Sequence, residues 1–180
     1  LFIEKAVPHP KSLFSLSVGR LWGGAAGHGT FSAALWATDR LHDIYAQNKV
    51  GILSDVDFIA ETEDSILLIE YKNADIAGAV HPEVFNPFDQ KRENKIAFKY
   101  YDSWMYLSAM QKSKPVKYIY ILEYPNDDAV TRKRIRNRIA DLLPFRLQKL
   151  PEIKVEMIHD FEVLSISEWN AHTQYREFPI

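Results

Sequence analysis

Two acidic residues and a lysine stand at the ends of two apolar segments within residues 54–73. Asp57 comes near the start of the first apolar segment, and Glu70 ends the continuous aliphatic run Ile66–Ile69. Lys72 follows Glu70 by two residues, and residues i and i+2 of a strand project from the same face. Two carboxylates beside a lysine are the groups that a metal-dependent phosphodiester hydrolase requires, so this segment is the first candidate for a catalytic site.

The spacing of these residues resembles the PD-(D/E)xK signature of the restriction-endonuclease-like nuclease superfamily. Asp57 is followed after twelve residues by the tripeptide Glu-Tyr-Lys, which contributes Glu70 and Lys72. The hairpin is most similar to archaeal Holliday junction resolvases and related small nucleases. The resemblance covers residues 29–75, where Val56 replaces the proline of the signature. Over the rest of the chain, only the order of helices and strands is similar. The resemblance implies that Asp57 and Glu70 bind Mg²⁺ and that Lys72 orients or activates the attacking water.

The activity implied by this resemblance is Mg²⁺-dependent hydrolysis of nucleic-acid phosphodiester bonds, with DNA as the first candidate substrate and Mn²⁺ as a substitute ion. A bound metal polarises the phosphate and supplies hydroxide near neutral pH, and a lysine neutralises charge that develops on the phosphate. Family members often dimerise, so a homodimer is consistent with the resemblance. The alternative is a catalytically inactive domain of the same fold that binds nucleic acid or a protein partner.

Accessory groups are expected from the elements around the hairpin. Many superfamily members carry an acid in the first helix, and this chain has two acids one helical turn apart there. A third acid shares a strand face with Asp57. In several families a polar residue of the helix after the hairpin also joins the site. A solvated surface position is the alternative for each of the three acids. The accessory candidates are Asp39, Asp43, Asp55, Gln90 and Lys91.

The strongest basic cluster lies in residues 131–138, Thr-Arg-Lys-Arg-Ile-Arg-Asn-Arg. On a helix whose buried stripe includes Ile135, we expect Arg132, Arg136 and Lys133 to face outward. Such a stripe can contact nucleic-acid phosphates. A solvated helix face whose cations pair with nearby acids explains the cluster equally well.

The glycine-rich segment 24–29 offers a further alternative, a nucleotide-binding loop. The phosphate-loop pattern requires a lysine after the last glycine, where this chain has Thr30. The dinucleotide-binding pattern requires a third glycine, where this chain has Ser32. A flexible turn ahead of a helix is therefore the preferred interpretation.

Composition is consistent with one globular domain. The chain has 180 residues, of which 47% are hydrophobic, enough for a substantial core. The net charge of −2 gives no global basic signature, so a nucleic-acid partner requires a local basic patch. Cysteine is absent, which excludes disulfides and thiolate metal sites and is compatible with a reducing cytoplasm. No apolar run approaches the roughly 20 residues of a membrane span. We therefore expect a cytoplasmic protein.

The order of predicted elements, α-β-β-α-β-α-β, indicates an α/β fold in which helices flank a mixed β-sheet. It also matches the restriction-endonuclease-like core. We expect one nuclease-like domain over residues 1–180, with an extended arm at 1–12 and a core at 29–123 that contains the catalytic hairpin 50–73. The predicted helices are 30–47, 88–111 and 129–143, and the predicted strands are 50–60, 65–71, 116–123, 153–158 and 161–166.

Overall fold

A computed structural model describes residues 33–75 and 85–179 of the chain. The predicted arm and the glycine-rich segment lie outside the described residues. In chain order, the strands are β1 (Trp36–Thr38), β2 (Phe58–Glu61), β3 (Ile66–Asn73), β4 (Val116–Glu123) and β5 (Asp160–Leu164). The α-helices are α1 (Leu41–Gln47), α2 (Gln90–Ala109), α3 (Ala129–Ala140) and α4 (Ile166–Ala171), and a 3₁₀-helix spans Leu147–Lys149.

The five strands form one mixed sheet in the order β1-β2-β3-β4-β5. The pairs β1–β2 and β2–β3 are antiparallel, whereas β3–β4 and β4–β5 are parallel. Parallel neighbours require long crossover connections, which α2 and α3 provide. The prediction of an α/β fold with a mixed sheet flanked by helices is therefore confirmed.

The central strands β3 and β4 are buried on both faces, which explains their continuous apolar sequences. Alternation along β3 directs Leu67 and Ile69 to the face covered by α4 and the C-terminal segment. Leu68 instead belongs to the core on the opposite face, together with Tyr100 of α2. Glu70 follows Leu68 by two residues, so its carboxylate lies on the α2 face of the sheet.

The predicted first helix is only partly correct. Residues 36–38 form β1, paired with β2, and the helix begins at Leu41. Non-local strand pairing has overridden the helical spacing of the apolar residues in this segment. The predicted strand 50–60 is also shorter, because the backbone amides of Ser54 and Val56 donate to side chains of α2, Asp102 and Ser103, instead of to a neighbouring strand.

The later predictions differ in their success. Helix α2 lies within its predicted bounds and β4 coincides with its predicted bounds. Helix α3 is capped by Asp128 and ends at Ala140, three residues before its predicted end. The predicted strand 153–158 is wrong, because the amides of Met157 and Ile158 both donate to the Gln148 side chain at 2.9 Å. Helix α4, which begins with a Ser165 capping box, was not predicted.

Candidate metal site between the hairpin and helix α2

The β2–β3 pairing brings Asp57 and Glu70 together. Phe58 pairs with Ile69, so the two acids occupy the next opposed positions of the hairpin. The backbone amide of Tyr71 donates to Asp57 Oδ2 at 2.8 Å, which fixes the orientation of that carboxylate. The Asp57 side chain is 40% exposed, whereas the Glu70 side chain is 8% exposed. One carboxylate therefore faces solvent, and the other forms the inner wall of the site.

Lys99 of α2 provides the positive charge at these carboxylates. Its Nζ donates to Glu70 Oε1 at 2.8 Å and to Glu70 Oε2 at 2.7 Å, and lies 3.8 Å from Asp57 Oδ1. Gln90 and Lys91 were the residues predicted from this helix, and Lys99 was not among them. The available signal was its position three residues after the buried Ile96, which places it at the border of the buried face.

Burial makes the charged form of Glu70 unfavourable. Desolvation, followed by the charge of Asp57, raises the pKa of Glu70 to about 8. Burial also opposes the charge of Lys99, but the carboxylates of Glu70 and Asp57 raise the pKa of that lysine. One ammonium thus faces two carboxylates when both are ionised. Two carboxylates this close together also offer oxygen ligands to a hard cation.

Lys72 has a different environment from Lys99. Its side chain is exposed at the end of β3, two residues beyond Glu70. Within the described part of the chain, it forms no hydrogen bond or ion pair. The lysine of the sequence signature therefore stands at the open end of the site, while Lys99 contacts the carboxylates.

The three candidate accessory acids do not complete a larger ligand cluster. Asp55 lies closest, since its charge contributes to the raised pKa of Glu70, and its Oδ1 is 3.2 Å from His42 Nδ1. Asp39 lies in the bend before α1, and Asp43 lies in the first turn of that helix. Among residues 33–75 and 85–179, no three acidic or histidine side chains are grouped closely enough to hold a metal ion.

The two accessory candidates of α2 are remote from the carboxylates. Gln90 and Lys91 are the first residues of the helix and are exposed. They precede Lys99 by more than two helical turns, which corresponds to about 12–14 Å along the helix axis.

Two carboxylates match the requirements of Mg²⁺ better than those of most other ions. Mg²⁺ is bound in many enzymes by one or two carboxylates, with water and substrate phosphate as the remaining ligands. Asp57 and Glu70 offer only oxygen ligands, and the exposure of Asp57 leaves room for water. The donor set therefore fits Mg²⁺ or Mn²⁺.

The basic segment of α3 differs from its prediction at Arg132. This side chain is buried, forms an ion pair with Asp127, and donates through Nη2 to Glu168 Oε1 at 2.7 Å. The expectation that Arg132 faces outward is wrong. Lys133 is exposed as predicted, and Arg136 is half-buried, with its Nε donating to the Phe161 carbonyl at 3.0 Å.

Cations and aromatic rings also meet where α3 approaches the start of α2. The guanidinium groups of Arg134 and Arg138 lie 5.3 and 5.6 Å from the ring centroid of Phe88. Arg138 is held there by Glu93, with Nη2 to Oε2 at 2.8 Å. Phe88, Arg134 and Arg138 line a cavity of about 510 Å³ together with Asn137. This α2–α3 basic surface combines groups that attract phosphates with an aromatic ring.

Comparison of the chain with known protein families, curated proteins and solved structures gives no match. In the part of the chain that the structure describes, no helix is long and apolar enough to cross a membrane.

Proposed function

We propose that this protein is a metal-dependent nuclease of the PD-(D/E)xK type with a restriction-endonuclease-like fold. The observation that supports the proposal is the pairing of the Asp57 and Glu70 carboxylates on adjacent strands, with the Lys99 ammonium 2.7 Å from Glu70. Buried carboxylates are costly unless a cation compensates them. A site that concentrates negative charge at the end of a rigid hairpin is suited to holding a hard cation.

Each side chain of the site has a distinct role in this proposal. Asp57 and Glu70 would hold Mg²⁺, which would polarise the phosphate of the substrate and provide hydroxide near neutral pH. Lys72, at the open end of β3, orients the attacking water. Lys99 compensates the carboxylates before the metal binds and neutralises charge on the phosphate during hydrolysis.

The proposed substrate is nucleic acid, with DNA preferred over RNA as the first candidate. With a net charge of −2, the chain must rely on local basic groups for this contact. The exposed Lys133 and Arg134 provide such groups. The ion pairs of Arg132 with Asp127 and Glu168 withdraw that residue from the predicted set, and Glu93 likewise engages Arg138.

The catalytically inactive domain is the second candidate, and the position of Lys99 is the observation that favours it. An ammonium that already bridges both carboxylates can stabilise the fold without any metal. In that case, nucleic-acid or protein binding would persist after the loss of Asp57 or Glu70.

A cleavage assay distinguishes these candidates. Labelled linear duplex, branched DNA, single-stranded DNA and RNA are incubated with the protein in Mg²⁺, Mn²⁺ or EDTA. The variants are Asp57→Ala and Lys72→Ala, with Asp64→Ala as the control because Asp64 is an exposed acid in the β2–β3 turn. The nuclease predicts metal-dependent cutting that both site variants lose and the control retains. Binding without cutting, unchanged in the site variants, would instead support the inactive domain.

A further inference from the structure

Tyr120 of β4 is the parallel-strand partner of Glu70. Like Leu68 and Tyr100, it belongs to the core on the α2 face, so its ring lies beside the Glu70 carboxylate. The residue is only 1% exposed, yet its hydroxyl has no hydrogen-bond partner among the described residues. A buried hydroxyl without a partner costs free energy. Such a group in a native protein therefore requires an explanation, for which a ligand is one candidate.

Two neighbouring tyrosines of this core have satisfied hydroxyls, whereas the hydroxyl of Tyr124, just beyond β4, also lacks a partner among the described residues. Tyr118, two residues earlier on β4, donates to the Ile96 carbonyl at 2.9 Å. Tyr100 donates to the Met157 carbonyl at 2.5 Å. Tyr118 also lies near the charges of Glu70 and Asp57. Of these three tyrosines, Tyr120 alone lies near Arg92 as well and has a hydroxyl without a hydrogen-bond partner among the described residues. Its unused hydrogen-bonding capacity is thus located at the candidate metal site.

Arg92 is the second group near Tyr120 with hydrogen-bonding capacity that the described residues do not use. It precedes Lys99 by seven residues, which places both side chains on the same face of α2. Its guanidinium lies 4.1 Å from the ring centroid of Phe85 and donates through Nη1 to the Asn86 carbonyl at 2.5 Å. It forms no ion pair with a carboxylate in the described part of the chain.

We propose that Tyr120 and Arg92 form an oxyanion pocket beside the Asp57–Glu70 pair and that this pocket binds a phosphate group. A guanidinium presents several donors in a planar fork that matches phosphate oxygens. The phenol adds one further donor. Burial and the charge of Glu70 raise the pKa of Tyr120, which keeps that donor protonated. The assignment of this phosphate to a nucleic acid rests on the proposed function.

Entry to the pocket requires a side chain to move. The Tyr120 hydroxyl is covered, whereas Asp57 and Arg92 are partly exposed. The long side chains of Arg92 and Lys99 have enough rotatable bonds to open a path from the Asp57 side. Phosphate binding therefore requires the side chains that cover the Tyr120 hydroxyl to move.

Thermal unfolding of Tyr120→Phe tests whether the Tyr120 hydroxyl lacks a hydrogen-bond partner within the protein. Tyr118→Phe is the matched control. Removing a hydroxyl that has no partner should raise the Tm of the metal-free protein by ~2–4 °C. Removing the bonded hydroxyl of Tyr118 should lower the Tm by a similar amount. A decrease in both variants would show that Tyr120 is satisfied within the protein and would overturn the proposal.

Inorganic phosphate, added against chloride at matched ionic strength, tests the ligand. We expect phosphate to raise the Tm of the wild type and of Tyr118→Phe, and to lose this effect in Tyr120→Phe and Arg92→Gln. Arg134→Gln is the control for Arg92, because it also removes a cation that lies over a phenylalanine ring. An unchanged phosphate effect in Tyr120→Phe would refute the pocket. The same series with a short DNA strand distinguishes a phosphodiester from free phosphate.

The pocket and the nuclease can fail separately. Loss of the phosphate effect in Tyr120→Phe, without cleavage of any substrate by the wild type, retains the pocket and rejects the nuclease. Metal-dependent cleavage together with an unchanged phosphate effect in Tyr120→Phe rejects the pocket and retains the nuclease.

Discussion

Glu70 is the residue at which stability and the proposed chemistry conflict. Its carboxylate is buried in the sheet beside a second acid, and the contact with Lys99 makes this arrangement tolerable. Natural proteins retain such unfavourable groups mainly where function requires them. Two predictions at the scale of single residues follow from this balance of charges.

Above pH 8, where Glu70 of the wild type is ionised, replacing Lys99 with Met should destabilise the metal-free protein by about 3 kcal/mol, because two neighbouring carboxylates lose the ammonium between them. On the nuclease proposal, Mg²⁺ should restore part of this loss, since the ion takes over the compensation. Urea unfolding in EDTA and in Mg²⁺ measures both effects.

Lys95→Met is the matched control, since Lys95 is an exposed lysine one turn earlier on α2. It should change stability by no more than about 0.5 kcal/mol. A large loss in Lys99→Met that Mg²⁺ leaves unaltered would favour the inactive domain, in which Lys99 permanently replaces a metal.

The stability of the metal-free protein should depend on the protonation of Glu70. Burial and the charge of Asp57 raise its pKa from the model-peptide value of 4.5 to about 8 in the folded state. The folded state therefore binds a proton that the unfolded state has released between these two values. The contribution of Glu70 protonation to the free energy of unfolding is fully present below pH 4.5 and is lost as the pH rises through 8.

Glu70→Gln removes this dependence, because the amide does not titrate. Urea unfolding in EDTA between pH 5 and pH 9 should show the variant gaining stability relative to the wild type as the pH rises. A constant difference between the two proteins over this range would show that the pKa of Glu70 is not raised.

At the scale of elements, helix α3 carries both a buried basic side chain, Arg132, and an exposed one, Lys133. Arg132, Ile135 and Ile139 recur at spacings of three and four residues, so all three belong to the buried stripe. The sequence pattern contained this spacing, but an arginine is rarely buried without acidic partners. One partner, Glu168, is 36 residues away in α4, an element that the sequence analysis did not predict.

Arg132 and Lys133 should therefore respond differently to substitution. Arg132→Met leaves Asp127 and Glu168 without their common partner and should cost about 3 kcal/mol of stability. Lys133→Met should leave stability within about 0.5 kcal/mol of the wild type. Chemical denaturation measures both values. Equal effects of the two substitutions would contradict the assignment of Arg132 to the buried stripe.

Nucleic-acid affinity provides the complementary measurement. If Lys133 contacts a phosphate, Lys133→Met should weaken binding to all nucleic-acid sequences. It should also reduce the magnitude of the slope of log affinity against log salt concentration by about one, because one fewer counterion is released. An unchanged salt dependence would exclude Lys133 from the contact surface.

At the scale of the whole molecule, the sequence predicted those helices and strands whose own residue patterns indicate their secondary structure. Strand β4 is rich in β-branched and aromatic residues, and α2 has a long amphipathic repeat, so both were predicted correctly. Strand β1 depends on pairing with β2, more than twenty residues away, and was mistaken for helix. Its sequence of three residues is too short to carry its own signal.

In the candidate site, too, contacts between residues close in the sequence were predictable, whereas contacts made by distant residues were not. The juxtaposition of Asp57 and Glu70 was predictable because a short turn joins their two strands. Lys99 reaches Glu70 from a helix 29 residues later in the chain, and Tyr120 comes from a strand 50 residues later. Packing of α2 and β4 against the hairpin brings both residues to the site, and no spacing in the sequence encodes that packing.

The central claim is that Asp57 and Glu70 bind a divalent metal ion. Calorimetric titration of the metal-free protein with Mn²⁺ tests it most directly, with Asp57→Asn as the site variant and the exposed Asp64→Asn as control. We predict one ion per chain for the wild type and the control, and an affinity more than about tenfold weaker for Asp57→Asn, because a charged ligand is lost. Absence of binding to the wild type, or equal affinity in all three proteins, would contradict the account.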